Sequence, residues 1–261
     1  MQLDLRERNA IVCGGSAGIG FAVARQLAAL GARVVVLARD LDRLQTALEK
    51  LPRIANQQHG MLQADAGEPA KLGEAIAAEA ARYPIHILIN NSGGPPGGSA
   101  HQASLNDYET AFRQQLLAAQ AAVQATLPGM QSAQFGRVIN IVSTSVREPI
   151  AGLGVSNTVR AAVAGWAKTL SRELATAGIT VNNVLPGYTQ TQRLKQIISD
   201  RARSSGKSED EIRQQMLASV PAGRFADAEE VANAVAFLAS PAASYISGVS
   251  LAVDGGRMQS I

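Results

Sequence analysis

Short apolar, β-branched runs recur along the chain, separated by longer stretches in which apolar positions return every three or four residues. The runs Ala10 to Val12, Arg33 to Leu37, Met61 to Ala64, Ile85 to Ile89, Val138 to Val142, Thr180 to Leu185 and Val249 to Val253 predict strands. The stretches Ile19 to Leu30, Leu41 to Lys50, Ala70 to Arg82, Asp107 to Met130, Val155 to Ala177 and Ala228 to Ser240 predict helices, being rich in Ala, Leu, Gln and Glu. Asp227, followed three positions on by Glu230, reads as a capping box opening the last helix. Strands that alternate with helices and stay apolar on both sides predict an α/β fold. Its core would be a doubly wound, seven-stranded parallel sheet with helices on both faces.

One stretch departs from this rhythm. Between Thr189 and Val220 the helical pattern carries a polar segment, Ser199 to Ser208. Placed after the sixth strand, it would overhang the edge where open α/β sheets bind ligands, so a substrate lid is expected at about 189–220. No fixed repeat and no long linker divides the chain, and residues 1–261 read as one domain. The 46% hydrophobic content suffices for a large core. With 24 Lys and Arg against 21 Asp and Glu, the net charge is only +3 and no basic stripe stands out, so no nucleic-acid partner is expected. No apolar run approaches the ~20 residues needed to cross a bilayer, and the charged first residues do not resemble a secretory leader. Cys13 is the one cysteine, which removes intrachain disulfides and cysteine metal sites, so no metal is expected and a cytoplasmic location fits.

The first predicted strand runs straight into Gly14, Gly15, Ser16, Ala17, Gly18, Ile19 and Gly20. Glycines here let the backbone turn sharply and approach a diphosphate, while the following helix offers free amides and its positive dipole end. The position between first strand and first helix is what a dinucleotide-binding (Rossmann) fingerprint requires. Coenzyme choice turns on the end of strand two. A carboxylate there would bind a ribose 2′-hydroxyl and repel a 2′-phosphate. The chain has Ala38 instead, followed by Arg39, whose planar fork suits phosphate; NADP(H) is expected over NAD(H).

The spacing Gly-x-x-x-Gly-x-Gly, with Asn90-Asn91-Ser92-Gly93, Pro186-Gly187 and Val253-Asp254-Gly255-Gly256, resembles the short-chain dehydrogenase/reductase superfamily over nearly the whole chain. The resemblance implies that Gly14, Ser16, Gly18, Ile19 and Gly20 surround the diphosphate. It further implies Asp65 at the adenine, Asn91 and Gly93 on the adenosine side, and Pro186, Gly187 and Thr191 at the nicotinamide. Cys13 stands where the family usually has threonine, so one hydroxyl is lost. It also implies hydride transfer between nicotinamide and a small carbonyl or alcohol, and a homodimer or homotetramer with the last strand near an interface.

The family's catalytic serine matches Ser143, at the end of strand five. Its tyrosine and lysine positions hold Ser156 and Arg160, and the asparagine position counted back from Pro128 holds Gln115. Ser156 and Arg160 are four apart on one helix and share a face. A phenol can be tuned toward neutral pH; a serine hydroxyl is a far weaker acid, and arginine stays charged. The usual proton transfer therefore cannot operate unaltered. Tyr188 and His101 are alternative donors, although an aromatic after Gly187 more often packs on a lid and loop histidines are mostly solvated. His59 and His86 begin strands and should sit away from the ligand edge, while Arg147 is either an anion anchor or a charge paired with Glu148 or solvent. Gln192, Leu194 and Ile198 suggest a partly apolar substrate pocket. Two readings stay open: an oxidoreductase with a non-standard proton donor, or an NADP(H)-binding sensor or scaffold that has lost turnover.

Overall fold

The computed structural model describes residues 1–54 and 56–260; Ala55 and Ile261, inside the expected 1–261 domain, lie outside the described residues. Among the described residues, β1 (Asn9–Cys13), β2 (Arg33–Ala38), β3 (Gly60–Gln63), β4 (Ile87–Asn90), β5 (Gly136–Ile141), β6 (Ile179–Pro186) and β7 (Ser250–Val253) form one sheet. Its order is β3-β2-β1-β4-β5-β6-β7 and every pairing is parallel. The chain crosses over between β1 and β4, which leaves a crevice at their carboxyl ends.

Alternation along the buried strands sorts the core into two layers. Val12, Val34, Val36, Ile87 and Ile89 face α1 (Gly18–Ala29), α2 (Leu41–Glu49) and α9 (Ala228–Ala239). Ile11, Val35, Leu37, Leu88 and Val138 face α3 (Pro69–Arg82), α5 (Ala118–Ser132) and α6 (Gly154–Glu173). Each fully buried Leu, Ile or Val contributes about 1.5–3 kcal/mol, so this double layer holds the strand ends rigidly in place. The capping role of Glu230 is present: its carboxylate accepts the Asp227 amide at 2.9 Å.

Two elements differ from the pattern-based expectation. The stretch expected as one helix from Asp107 to Met130 is α4 (Leu105–Phe112), a π turn at Arg113–Leu117, and α5. Apolar spacing cannot register one wider turn, because the face is recovered within a few residues. The polar segment Ser199–Ser208 is mostly helical rather than a break: α7 (Gln192–Ser205) and α8 (Glu209–Ala218) form a hairpin. Gly206 ends the first helix with φ +70°, and Ser208 caps the second in a box with Glu211. Leu194, Ile198, Ile212, Met216 and Phe225 bury themselves in this hairpin's own small core.

A row of polar side chains crosses the sheet just below its carboxyl edge. Asn90 Nδ2 donates to Asn140 Oδ1 (2.9 Å), Asn140 Nδ2 to Asn183 Oδ1 (3.0 Å), and Asn183 Nδ2 to Ser250 Oγ (3.2 Å). In-register pairing of β4, β5, β6 and β7 sets these residues side by side, so each buried amide finds its partner on the next strand.

Candidate active site

β1 delivers the chain into the glycine loop at the crossover. Gly14 has φ +61°, and a Cβ there would meet the Asn91 carbonyl oxygen and Nδ2 at 2.6 Å. A Cβ on Gly20 would run into the Gly14 carbonyl oxygen, so only a bare backbone closes this loop. Asn91 Nδ2 donates to the carbonyls of Cys13 (3.3 Å) and Gly14 (3.4 Å), tying β4 to the loop. α1 then starts at Gly18 with no side-chain cap and no acid in its first turn, which leaves its opening amides to an external anion. Ser16 is half-buried over the loop and Ile19 packs on the core beneath it. Burial pushes the Cys13 thiol up to about 12, so it stays protonated and inert.

A cleft of about 500 Å³ runs from Gly14 and Ser16 past Arg39 and Asp65 to Gly93 and Gln115. That volume suits a small-molecule ligand, and a rigid glycine turn with free amides at one end fits a dinucleotide diphosphate. Arg39 lies 3.8 Å from Asp65 Oδ2, and its side chain is 73% exposed. The carboxylate nearest in sequence, Asp40, is engaged as the cap of α2, accepting the Arg43 amide at 3.0 Å. Arg43 also lines the cleft, one helical turn on from Arg39, a second cation that the sequence reading passed over.

At the other end, α6 brings Ser156 and Arg160 against the exit of β5. Arg160 Nε donates to Ser156 Oγ at 3.2 Å, and Nη1 donates to the carbonyls of Ile141 (3.3 Å) and Val142. Val142 precedes Ser143, so the Arg160–Ser156 pair is tied to the backbone next to Ser143. Burial pushes the Arg160 guanidinium down to about 10, with nearby Arg193 acting in the same direction; it is still a cation at neutral pH. Ser143 Oγ accepts the Ser145 amide at 3.1 Å, a strand-end cap. Gln115 sits in the π turn, 8% exposed, and its Nε2 has no partner although it lines the cleft.

β6 ends at Pro186, and Gly187 donates to Val253 O at 2.9 Å, which fixes the end of β6 against β7. Thr191 caps α7 and its methyl lies 3.3 Å from where a Gly18 Cβ would be, which brings it over the glycine loop. Arg193 follows, donating to Pro95 O at 2.6 Å; it was missed by sequence reasoning because a single arginine in a polar stretch carries no pattern.

The other residues singled out by the sequence lie as follows. Tyr188 packs edge-on against Phe225, 5.9 Å between centroids, in the hairpin core. His101 is exposed on a short turn. His59 and His86 lie at the opposite sheet edge, where their Nδ1 atoms accept the amides of Val34 and Asn9. Arg147 is exposed and makes no pair with Glu148, whose carboxylate accepts the amides of Gln259 and Ser260 instead. Leu194 and Ile198 fill the hairpin interior, so the apolar wall of the neighbouring cavity comes from Ile150, Ile212 and Met216. Among the described residues no cluster of three His, Cys, Asp or Glu could hold a metal.

The family profile described as Enoyl-(Acyl carrier protein) reductase matches residues 14–257. The chain belongs to the short-chain dehydrogenase/reductase superfamily. Among its relatives in that superfamily, the NADPH-dependent reductase BacG of Bacillus subtilis is 32% identical, over 98% of this chain and 100% of the relative. The 3-oxoacyl-[acyl-carrier-protein] reductase FabG of Vibrio cholerae is 33% identical, over 97% of this chain and 98% of the relative. The solved structure of YwfH, an NADPH-dependent reductase involved in bacilysin biosynthesis, superposes with a TM-score of 0.91 at 31% identity, covering 97% of this chain and 99% of that one. L-sorbose reductase from Gluconobacter frateurii, complexed with NADPH and L-sorbose, gives a TM-score of 0.93 at 27% identity over 100% of both chains. The superfamily's parallel sheet with helices on both faces is the one described above, and no helix among the described residues is long and apolar enough to cross a membrane.

Proposed function

We propose that this chain is an NADP(H)-dependent oxidoreductase acting on a small carbonyl or alcohol, with Ser156 and Arg160 at the positions where the superfamily has tyrosine and lysine. The observation that carries the reading is the guanidinium of Arg160, bonded at once to Ser156 and to the end of β5 beside Ser143. Relatives named as NADPH-dependent reductases support the coenzyme choice, as do Ala38, Arg39 and Arg43 at the adenosine end of the cleft.

The bound coenzyme would supply or accept the hydride, held by the glycine loop, with Asp65, Asn91 and Gly93 at its adenosine half and Pro186, Gly187 and Thr191 at its nicotinamide. Ser143 and Ser156 donate hydrogen bonds to the substrate oxygen. Arg160 contributes fixed positive charge that stabilises negative charge developing on that oxygen. It supplies no proton, since it remains charged at neutral pH; the oxygen takes its proton from water. Gln115, with an unmet donor, holds such a water where the superfamily uses asparagine. Forgoing a positioned acid costs on the order of 10²- to 10⁴-fold in rate, so turnover is slow. The α7–α8 hairpin acts as the lid.

NADPH oxidation across a panel of small ketones and aldehydes tests this. We expect slow oxidation that falls about 10²- to 10³-fold in Arg160→Gln. Combining Ser156→Tyr, Arg160→Lys and Gln115→Asn should raise turnover on a generic ketone by orders of magnitude. Tight coenzyme binding without oxidation by any member of the panel would instead establish the sensor or scaffold reading. That second reading draws support from Ser143 and Arg160, whose polar groups bond to backbone.

A further inference from the structure

A second cavity, of about 380 Å³, lies between the α7–α8 hairpin and the loop that follows Ser143. Its charged lining among the described residues is basic: Arg201 from α7 and Arg257 from the segment after β7. Tyr188, Gln215 and Ser219 add neutral polar groups, and Ile150, Ile212 and Met216 make the walls apolar. Among the described residues no acidic one lines it.

Arg257 is fixed from two sides. Its Nη1 donates to Thr144 Oγ1 at 3.1 Å, and its guanidinium carbon stands 4.7 Å from the Tyr188 ring centroid. Thr144 follows Ser143 directly, so this charge is held one residue from the proposed carbonyl site. Arg257 Nε is buried and unpartnered. Among the described residues neither Arg257 nor Arg201 has a carboxylate within 4 Å. Two acids lie near this segment, and both are engaged by backbone. Asp254 accepts the amides of Gly256 (3.0 Å) and Met258 (2.8 Å). Glu148 turns its Oε1 to the amides of Gln259 and Ser260 at 2.7 and 2.6 Å; the Ser260 bond lowers its pKa most, and the Arg257 charge helps. A half-buried guanidinium with an unmet Nε–H and no carboxylate in salt-bridge reach favours an anionic partner, and a planar carboxylate is the one its fork matches.

We infer that this cavity binds a small organic acid, its carboxylate on Arg257 and Arg201, its apolar body against Ile150, Ile212 and Met216, and its carbonyl directed to Ser143. The inference deepens the oxidoreductase reading and rests on it for the direction of the carbonyl. The volume lies within the range of small-molecule pockets, and its apolar walls suit a hydrocarbon body better than a sugar.

The experiment compares keto acids of increasing chain length with their methyl esters and with phosphate-bearing carbonyls, using NADPH and the full chain. We expect kcat/KM for an acid to exceed that for its ester by about 10- to 100-fold, the effect of one charge-assisted contact. Arg257→Gln and Arg201→Gln should each bring the acid-to-ester ratio close to unity, mainly through KM. Arg257→Lys should recover part of it. Arg201 does not hold Thr144, so its variant separates charge from the shape of the loop, and misfolding would lower acid and ester together.

Calorimetry of the matching hydroxy acids, titrated into the protein saturated with NADPH, gives a readout that needs no turnover. Binding that disappears in Arg257→Gln, with no reduction of any carbonyl, upholds the anion site and overturns the redox reading. Reduction of neutral carbonyls with no advantage for acids, or a preference for the phosphate-bearing set, overturns the anion site and leaves the redox reading standing.

Discussion

The contact between Arg39 and Asp65 is long at 3.8 Å and largely open to water, so it holds the guanidinium only weakly. A 2′-phosphate would be a better partner, accepting two parallel hydrogen bonds from the same fork. Arg39→Ala should therefore weaken NADPH binding about 10- to 100-fold while changing NADH affinity by less than about 3-fold. Calorimetric titration with both coenzymes checks this, and equal losses would remove Arg39 from the phosphate site. The residue scale was also where sequence reasoning was most uneven. Gly14, Gly18 and Gly20 were legible because their chemistry is local: a bare backbone is needed wherever they lie. Arg257 and Arg193 were not, since each acquires a role from residues 69 or more positions away, such as Thr144 and Pro95.

Individual strands are joined at their amino ends by histidines. His86 Nδ1 accepts the Asn9 amide of β1, and His59 Nδ1 accepts the Val34 amide of β2, both at 3.1 Å. Acceptance at Nδ1 requires a neutral ring with its proton on Nε2, and His59 Nε2 duly donates to Pro52 O at 3.0 Å. Burial is the main cause that holds both rings below the ordinary histidine pKa of 6.5; Arg8 reinforces it at His86, and at His59 the Pro52 bond opposes it while Arg53 and Arg33 act with it. A depressed folded-state pKa means that the unfolded chain takes up protons first as pH falls below 6.5. The stability from these ties is complete above that value and declines as pH drops through the folded-state values. The thermal midpoint should fall between pH 7 and pH 5, and His86→Asn should flatten that slope; an unchanged slope would dissociate the ring from the effect. The π turn in the middle of the α4–α5 stretch belongs to this scale too. It sets Gln115 into the cleft, a displacement by less than one helical turn that no hydrophobic periodicity encodes.

For the molecule as a whole, β7 is the last strand of the sheet, and its outer flank is unpaired among the described residues. Leu251 on that strand and Val249 just before it are partly exposed, and Tyr245 nearby is fully so. We propose that this edge contributes to a homodimer or homotetramer, since an open edge with apolar neighbours favours pairing. Light scattering at micromolar concentration should give two or four chain masses, and Leu251→Lys should lower the mass; a monomer in both proteins would refute the assembly. The amino-acid order by itself determined the alternation of strands and helices, the parallel sheet and the glycine loop. Those features depend on patterns that repeat within a few residues and on residue types whose chemistry does not change with context. Only tertiary structure decided that Arg160 bonds the end of β5 and that Leu194 and Ile198 serve packing. It also set the asparagine row across four strands and the basic cavity beside Ser143. In each case the deciding partner comes from a distant strand or helix, and proximity of that kind exists only once the sheet has brought their ends together.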